Sequence, residues 1–160
     1  MMTSRTSWRA KLEKPIQARV VAVPPKMRKR YGNGTMLIPR PLDVDTLIRK
    51  VPRGSLVTVA EIRRRLAQDY HADVTCPLVT GILVRIAAEA ANEDIQMRRR
   101  PVTPFWRIVR DDGSLNPKFP GGVEMQEEML NLEGHRVVST RAGKSKVAGF
   151  EQHLVSLASN

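Results

Sequence analysis

Two helix-start signals, Thr58-Val59-Ala60-Glu61 and Thr75-Cys76-Pro77, constrain the middle of this chain more tightly than any other feature. The first has capping-box spacing, in which a threonine hydroxyl and a glutamate satisfy the free amides of a first helical turn. It predicts a helix running to about Asp69, with Ile62 and Leu66 inward and Arg63, Arg64 and Arg65 mostly outward. In the second, Thr75 is the expected cap and Pro77 sits in the first turn, where its missing N–H costs nothing. Val79, Ile82, Leu83, Ile86 and Ala90 then form the expected buried stripe. Upstream, Val44, Leu47, Ile48 and Val51 repeat at helical spacing, with Asp43 as N-cap and Pro52 and Gly54 closing the segment. Two short helices followed by a longer one match helix-turn-helix order, although the link Tyr70 to Val74 is longer than the usual tight turn.

The flanking segments have a different character. Residues 1–40 combine charge with turn formers (Pro24-Pro25, Gly32-Asn33-Gly34, Pro39) and read as an extended arm with short ordered pieces and little core of its own. Phe105 to Val109 reads as a short strand and Asp111-Asp112-Gly113 as a turn. Met125, Met129, Leu130 and Leu132 support a last helix that Gly134 can terminate in a left-handed conformation. Val137-Val138 and Lys146-Val147 are expected to pair as a hairpin around Gly143. The organisation is therefore an arm over 1–40, a domain over 41–138, and a hairpin and tail over 139–160.

With 160 residues and 41% hydrophobic content, the chain can bury one sizeable core. No apolar run approaches the roughly 18 to 20 residues that a bilayer span needs. The opening MMTSRTSWRAKLEKP lacks the apolar core of a secretory signal. The expectation is a cytoplasmic monomer without membrane contact, open to association with the nucleoid. One cysteine, Cys76, forms no internal disulfide, and His71, His135 and His153 show no metal-ligand spacing, so no metal and no cofactor are expected. The net charge of +11 favours polyanions. It is concentrated in residues 1–53, which hold 13 basic against 3 acidic side chains, whereas residues 54–137 hold 11 against 12.

Thr103 to Val137, TPFWRIVRDDGSLNPKFPGGVEMQEEMLNLEGHRV, contains Pro104-Phe105-Trp106-Arg107-Ile108, a loop ending in Gly121-Gly122, and Glu133-Gly134-His135-Arg136. This arrangement resembles the alkylguanine-DNA alkyltransferases (methylated-DNA-protein cysteine methyltransferases), whose corresponding segments are Pro-Cys-His-Arg-Val, Gly-Gly and Glu-Gly-His-Arg. The similarity extends over roughly Leu42 to Val137. It implies a mainly α fold with a small β wing, a winged helix-turn-helix-like domain that binds the minor groove of double-stranded DNA and extrudes a damaged guanine. It also implies that the catalytic positions have changed: Phe105 and Trp106 stand where the family has its cysteine nucleophile and histidine. A hydrocarbon ring cannot attack, and an indole N–H donates but cannot relay a proton. Val59 stands at the family's tyrosine, and Leu78-Val79-Thr80-Gly81-Ile82 replaces the run that carries its arginine finger, leaving Arg85 more than a turn later. The resemblance is thus to the alkyltransferase-like variants that lack the cysteine, recognise alkylated bases and act in DNA repair through partner proteins.

The expected nucleic-acid contacts are Thr58, Arg63, Arg64, Thr80, Gly81, Arg85, Arg107 and Lys118. Thr80, Gly81, Ala88 and Ala91 are small enough either for close approach of the third helix to a duplex or for tight helix packing. The former alkyl pocket would comprise Phe105, Trp106, Phe119 and Glu133. Its rings either plug the pocket or offer a stacking surface for an extruded base, and Glu133 is expected to cap or to pair with Arg107. No catalytic residue is assigned; Cys76, at a helix start, is read as structural rather than as a displaced nucleophile. The leading expectation is an inactive DNA-binding protein in which the arm supplies affinity. The alternative is a structural nucleic-acid or ribonucleoprotein component that has reused the fold, with the arm on RNA or DNA.

Overall fold

The computed structural model describes residues 6–157, so the ends of the expected arm and tail, 1–5 and 158–160, lie outside the described residues. Helices α3 (Pro41–Arg49), α4 (Val59–Asp69) and α5 (Pro77–Gln96) form the centre, preceded by α1 (Trp8–Leu12), β1 (Arg19–Ala22), α2 (Arg28–Tyr31) and β2 (Thr35–Ile38). Two short strands, β3 (Val57–Thr58) and β4 (Val74–Thr75), lead into α4 and α5. A turn of 3-10 helix over Phe105–Arg107 runs into β5 (Ile108–Val109), followed by α6 (Gly122–Leu132) and the hairpin β6 (Val137–Ser139) and β7 (Ser145–Val147). This is a mainly α fold with a small β wing.

Local signals are realised where a short-range bond enforces them. The Thr58 side chain accepts from the Glu61 amide at 3.1 Å and starts α4 as expected. Only half of the capping box forms, because the Glu61 carboxylate goes instead to Arg64 and to the amide of Leu157 at 2.7 Å. Helix α3 begins earlier than predicted: Arg40 is the N-cap and Asp43 lies within the first turn, where it bonds back to Arg40. At α5, Cys76 rather than Thr75 occupies the cap position, and the Thr75 hydroxyl donates to the Arg63 carbonyl at 2.8 Å. Beyond α6, Gly134 has φ +90°, with the His135 amide on the Leu130 carbonyl and its own amide on Asn131, both at 3.0 Å. This is the expected left-handed helix stop. The expected hairpin forms, pairing Val137 with Val147 and Val138 with Lys146. It is anchored where the Phe150 ring lies against Gly113 (φ +84°), a place with no room for a Cβ.

The largest departure is at the chain's outer segments. Residues 7–38 are docked rather than extended: β1 and β2 pair antiparallel, β2 and β4 pair parallel, and Leu12 is fully buried in the main core. The reason is distant in sequence. The Glu93 carboxylate on α5 accepts from the amides of Trp8 and Arg9 at 3.0 and 2.9 Å, satisfying the open end of α1, and buried Asp94 pairs with Arg9 and with Arg99. The far end is likewise tied in, since Leu56 exchanges backbone bonds with His153 and Val155, and the Leu157 carbonyl accepts from Arg65.

The buried side of α5 also differs from the predicted stripe. Thr80, Leu83, Val84, Ala87, Ala88, Ala90, Ala91 and Asp94 face the core, whereas Ile82 is 59% exposed. Helices α1, α3 and α4 all pack on α5, and the close approach of several neighbours selects its small residues, so Ala88, Ala91 and Thr80 serve packing. On α6, Leu132 is exposed and Gln126 is buried in its stead. Because Leu12 is part of the same core, Leu12→Ala should lower unfolding free energy by about 2 to 5 kcal/mol, measurable by denaturant titration. An arm independent of the domain would leave it unchanged.

Candidate nucleic-acid interface

Phe105 and Trp106 are turned inward. Phe105 begins a 3-10 turn rather than a strand and has no exposed surface. Its ring stands edge-on to Trp106 and to Phe119, with centroids 5.5 and 5.6 Å apart, geometries that favour aromatic pairs. The buried Gln126 amide holds the turn: its Nε2 donates to the Trp106 and Ile108 carbonyls at 3.2 and 2.8 Å, and its Oε1 accepts from the Asn116 amide at 3.0 Å. Fully buried, Phe105 presents no stacking surface to solvent.

Glu133 lies beneath this turn, and its carboxylate is saturated. Oε1 accepts from the Gly54 amide at 3.0 Å and from Arg107 Nε at 2.9 Å. Oε2 accepts from Trp106 Nε1 at 2.7 Å and from a terminal Arg107 nitrogen at 2.8 Å. Burial alone would raise the pKa of this carboxyl, but the Arg107 guanidinium, the Gly54 amide and the indole N–H outweigh it and hold the group below its usual range. A carboxylate with these donors has no oxygen left to activate a water molecule. Arg107, expected to touch nucleic acid, is committed inward, with its other terminal nitrogen donating to the Val51 carbonyl at 2.6 Å.

A cleft of about 400 Å³ opens on the outer side of Phe105. One wall is the solvent face of α5, Pro77, Leu78, Gly81, Ile82 and Arg85; the other is Arg110, Asn116, Lys118 and Phe119. Leu78 is 73% exposed, and it stands with Ile82 one helical turn apart on the same face, which presents apolar surface to solvent. Every ionisable side chain lining the cleft is basic. The first turn of α5 adds the partial positive charge of a helix N-terminus.

The structure brings four of the expected residues to this cleft: Gly81, Arg85 and Lys118 on its rim and Phe119 in its floor. Thr80 is a correction: it is fully buried, and its hydroxyl bonds the Cys76 carbonyl at 2.7 Å. Thr58 is engaged as the cap of α4, and Arg64 pairs with Glu61 at 2.7 Å; Thr58 and, on α4, Arg63 and Arg64 lie away from the cleft lining. Sequence reasoning missed Leu78, Ile82, Arg110 and Asn116. Leu78, Ile82 and Arg85 share one helical stripe, and that was the available signal, obscured because Ile82 also fits an apolar core pattern. Cys76 is buried beside Val23 and Met36. The histidines are nearer in space than in sequence, with the His135 and His153 rings 4.8 Å apart. Among the described residues, no three His, Cys, Asp or Glu side chains are grouped to hold a metal, and no helix is long and apolar enough to cross a membrane.

No protein-family model matches the chain, and no curated protein matches it by sequence. Solved structures do match by shape. One is S. pombe Atl1 in complex with damaged DNA containing O6-carboxymethylguanine, with TM-score 0.52 and 16% identity over 72% of this chain and 94% of that one. A second is S. pombe ATL in complex with DNA, with TM-score 0.53 and 18% identity over the same shares. The chain has the alkyltransferase-like fold. The expected fold class is therefore observed. Within the alkyltransferase-like frame, the Glu133 cluster is predicted to be a main stabilising element. Glu133→Ala leaves the Arg107 guanidinium buried without a carboxylate and should cost about 3 kcal/mol or more in chemical denaturation. Since the folded-state pKa of Glu133 is lowered, its contribution is complete above the ordinary value of 4.5 and is lost as pH falls through the folded value. Glu133→Gln should accordingly flatten the acid limb of stability below about pH 5.

Proposed function

We propose that this protein is a non-enzymatic, alkyltransferase-like DNA-binding protein that seats α5 and its cleft on a duplex and receives an alkylated base there. The observation that carries the reading is the cleft itself: apolar Leu78 and Ile82, open backbone at Gly81, and Arg85, Arg110 and Lys118 with no lining carboxylate. This composition suits a nucleobase flanked by phosphates, since apolar surface meets the base and cations meet the backbone. Complexes of proteins with this fold and DNA, one of them carrying O6-carboxymethylguanine, support the same reading. The extruded base rests in the outer cleft against Phe119, because Phe105 fills the space behind it. With no nucleophile at position 105 and Glu133 saturated, recognition ends without alkyl transfer. The protein acts as a monomer on cytoplasmic, nucleoid-associated DNA and serves repair by engaging partner proteins at the lesion.

The reading is tested by competing plain duplex, alkylguanine duplex and structured RNA for the protein, followed by anisotropy of a labelled duplex. The expected order has alkylguanine duplex first and RNA last, with no label passing from DNA to protein. Arg85→Ala and Lys118→Ala should each make the logarithmic salt dependence shallower by about 1, and Ile82→Glu should abolish the lesion preference. Tightest binding to RNA, or stoichiometric alkylation of the protein, would overturn the proposal.

A further inference from the structure

The strongest concentration of unpaired positive charge lies in the turn between β1 and β2, outside the cleft. Lys26, Arg28, Lys29 and Arg30 occur within five residues, on a 3-10 turn over Pro25–Met27 that continues into α2. Among the described residues, no carboxylate pairs with any of them. Arg28 donates to the Val23 carbonyl at 3.2 Å, and Arg30 lies over the Tyr31 ring at 5.6 Å. Several arginines elsewhere are paired internally: Arg9 and Arg99 with Asp94, Arg49 with Asp45, Arg65 with Asp69 and Arg107 with Glu133. The cations of the turn are free to meet a ligand.

Their position is fixed by a small apolar cluster of their own. Met27 and Tyr31 pack against buried Val23, Met36 and Cys76 and beside Val79. Cys76 and Val79 belong to the cap and first turn of α5, and the Cys76 amide bonds the Leu37 carbonyl of β2 at 2.9 Å. The turn is thereby fastened to the start of the helix whose next residues, Leu78, Gly81 and Ile82, line the cleft. Between the turn and α4 lies a smaller hollow of about 210 Å³ whose charged lining is Arg63, Arg64 and Asp73; Arg64 pairs with Glu61 and Asp73 accepts from Thr35, so Arg63 is the cation that borders the turn there.

We infer that the turn Lys26–Arg30 is a second phosphate-binding element, which grips the duplex backbone beside the N-terminus of α5 while Arg85, Arg110 and Lys118 hold it across the cleft. The inference rests on duplex binding through α5 as proposed above and extends it to a named surface. Contacts of this kind release counterions, each adding about 0.9 to the slope of log affinity against log salt.

The test compares full-length wild type with Lys26→Ala/Lys29→Ala/Arg30→Ala and with a control that removes the same three charges near the other end of α5, Lys50→Ala/Arg98→Asn/Arg100→Ala. Asparagine is chosen at position 98 because that residue has φ +55°. Thermal melting checks folding, and Lys26→Gln/Lys29→Gln/Arg30→Gln, which keeps longer side chains, replaces the alanine variant where that melts early. Anisotropy is read on plain and alkylguanine duplexes between about 50 and 200 mM salt. The expected result is a slope shallower by about 2 to 3 for the turn variants, equal weakening on both duplexes, and a wild-type slope for the control. An unchanged slope in the turn variants, or equal loss in the control, overturns this inference while leaving α5 binding intact. A wild-type chain that binds neither duplex overturns both.

Discussion

The carboxylate of Glu133 is the point on which this structure turns. Its donors come from two separated stretches, Gly54 in the loop after α3 and Trp106 with Arg107 in the 3-10 turn, and Arg107 also reaches back to the Val51 carbonyl. Burying a guanidinium and a carboxylate is costly, and the arrangement becomes favourable only when the remaining lone pairs and protons are satisfied. Here each oxygen accepts both a neutral N–H and an Arg107 N–H. The geometry leaves the turn one orientation, which sends the Phe105 ring toward Phe119 and fixes the floor on which the cleft is built.

Helix α5 is divided by function along its length. Glu93 and Asp94, near its end, are spent holding the first helix and the arginines around it. The opposite end keeps Leu78, Ile82 and Arg85 outward and has no acidic residue in its first turn. A stretch whose charges nearly balance, 11 basic against 12 acidic over residues 54–137, thus presents a one-signed surface at the place where the cleft opens. The location of the acids determines this as much as the location of the bases.

What the sequence reveals and conceals follows from the range of the interactions. Thr58, Pro77, Gly134 and the Val137–Val147 hairpin are recognisable because each acts on neighbours within one turn or strand pair. The docking of Trp8 to Leu12 depends on Glu93, 85 positions from Trp8, and no local pattern announces such a bond. The inward side of α5 was misjudged at Ile82 because helix spacing identifies a stripe but not which neighbours will crowd it, and α1 lay outside the assumed core. The aromatic pair at 105 and 106 is plain in the sequence. That Gln126 would brace their backbone is not, since a buried glutamine on a helix looks like any solvent-facing amide until its partners are known.

The closed packing around Phe105 also decides what a reactive side chain would meet there. A cysteine placed at that position would sit in an apolar enclosure between Trp106 and Phe119, where burial favours the neutral thiol over the reactive thiolate. It would find an indole in place of a proton relay and a carboxylate with no spare oxygen. It would also leave much of the phenyl ring's volume empty, at a cost in stability. Phe105→Cys alone would therefore not make an alkyl acceptor of this chain. The outer cleft at Leu78, Ile82 and Lys118 is free of that constraint.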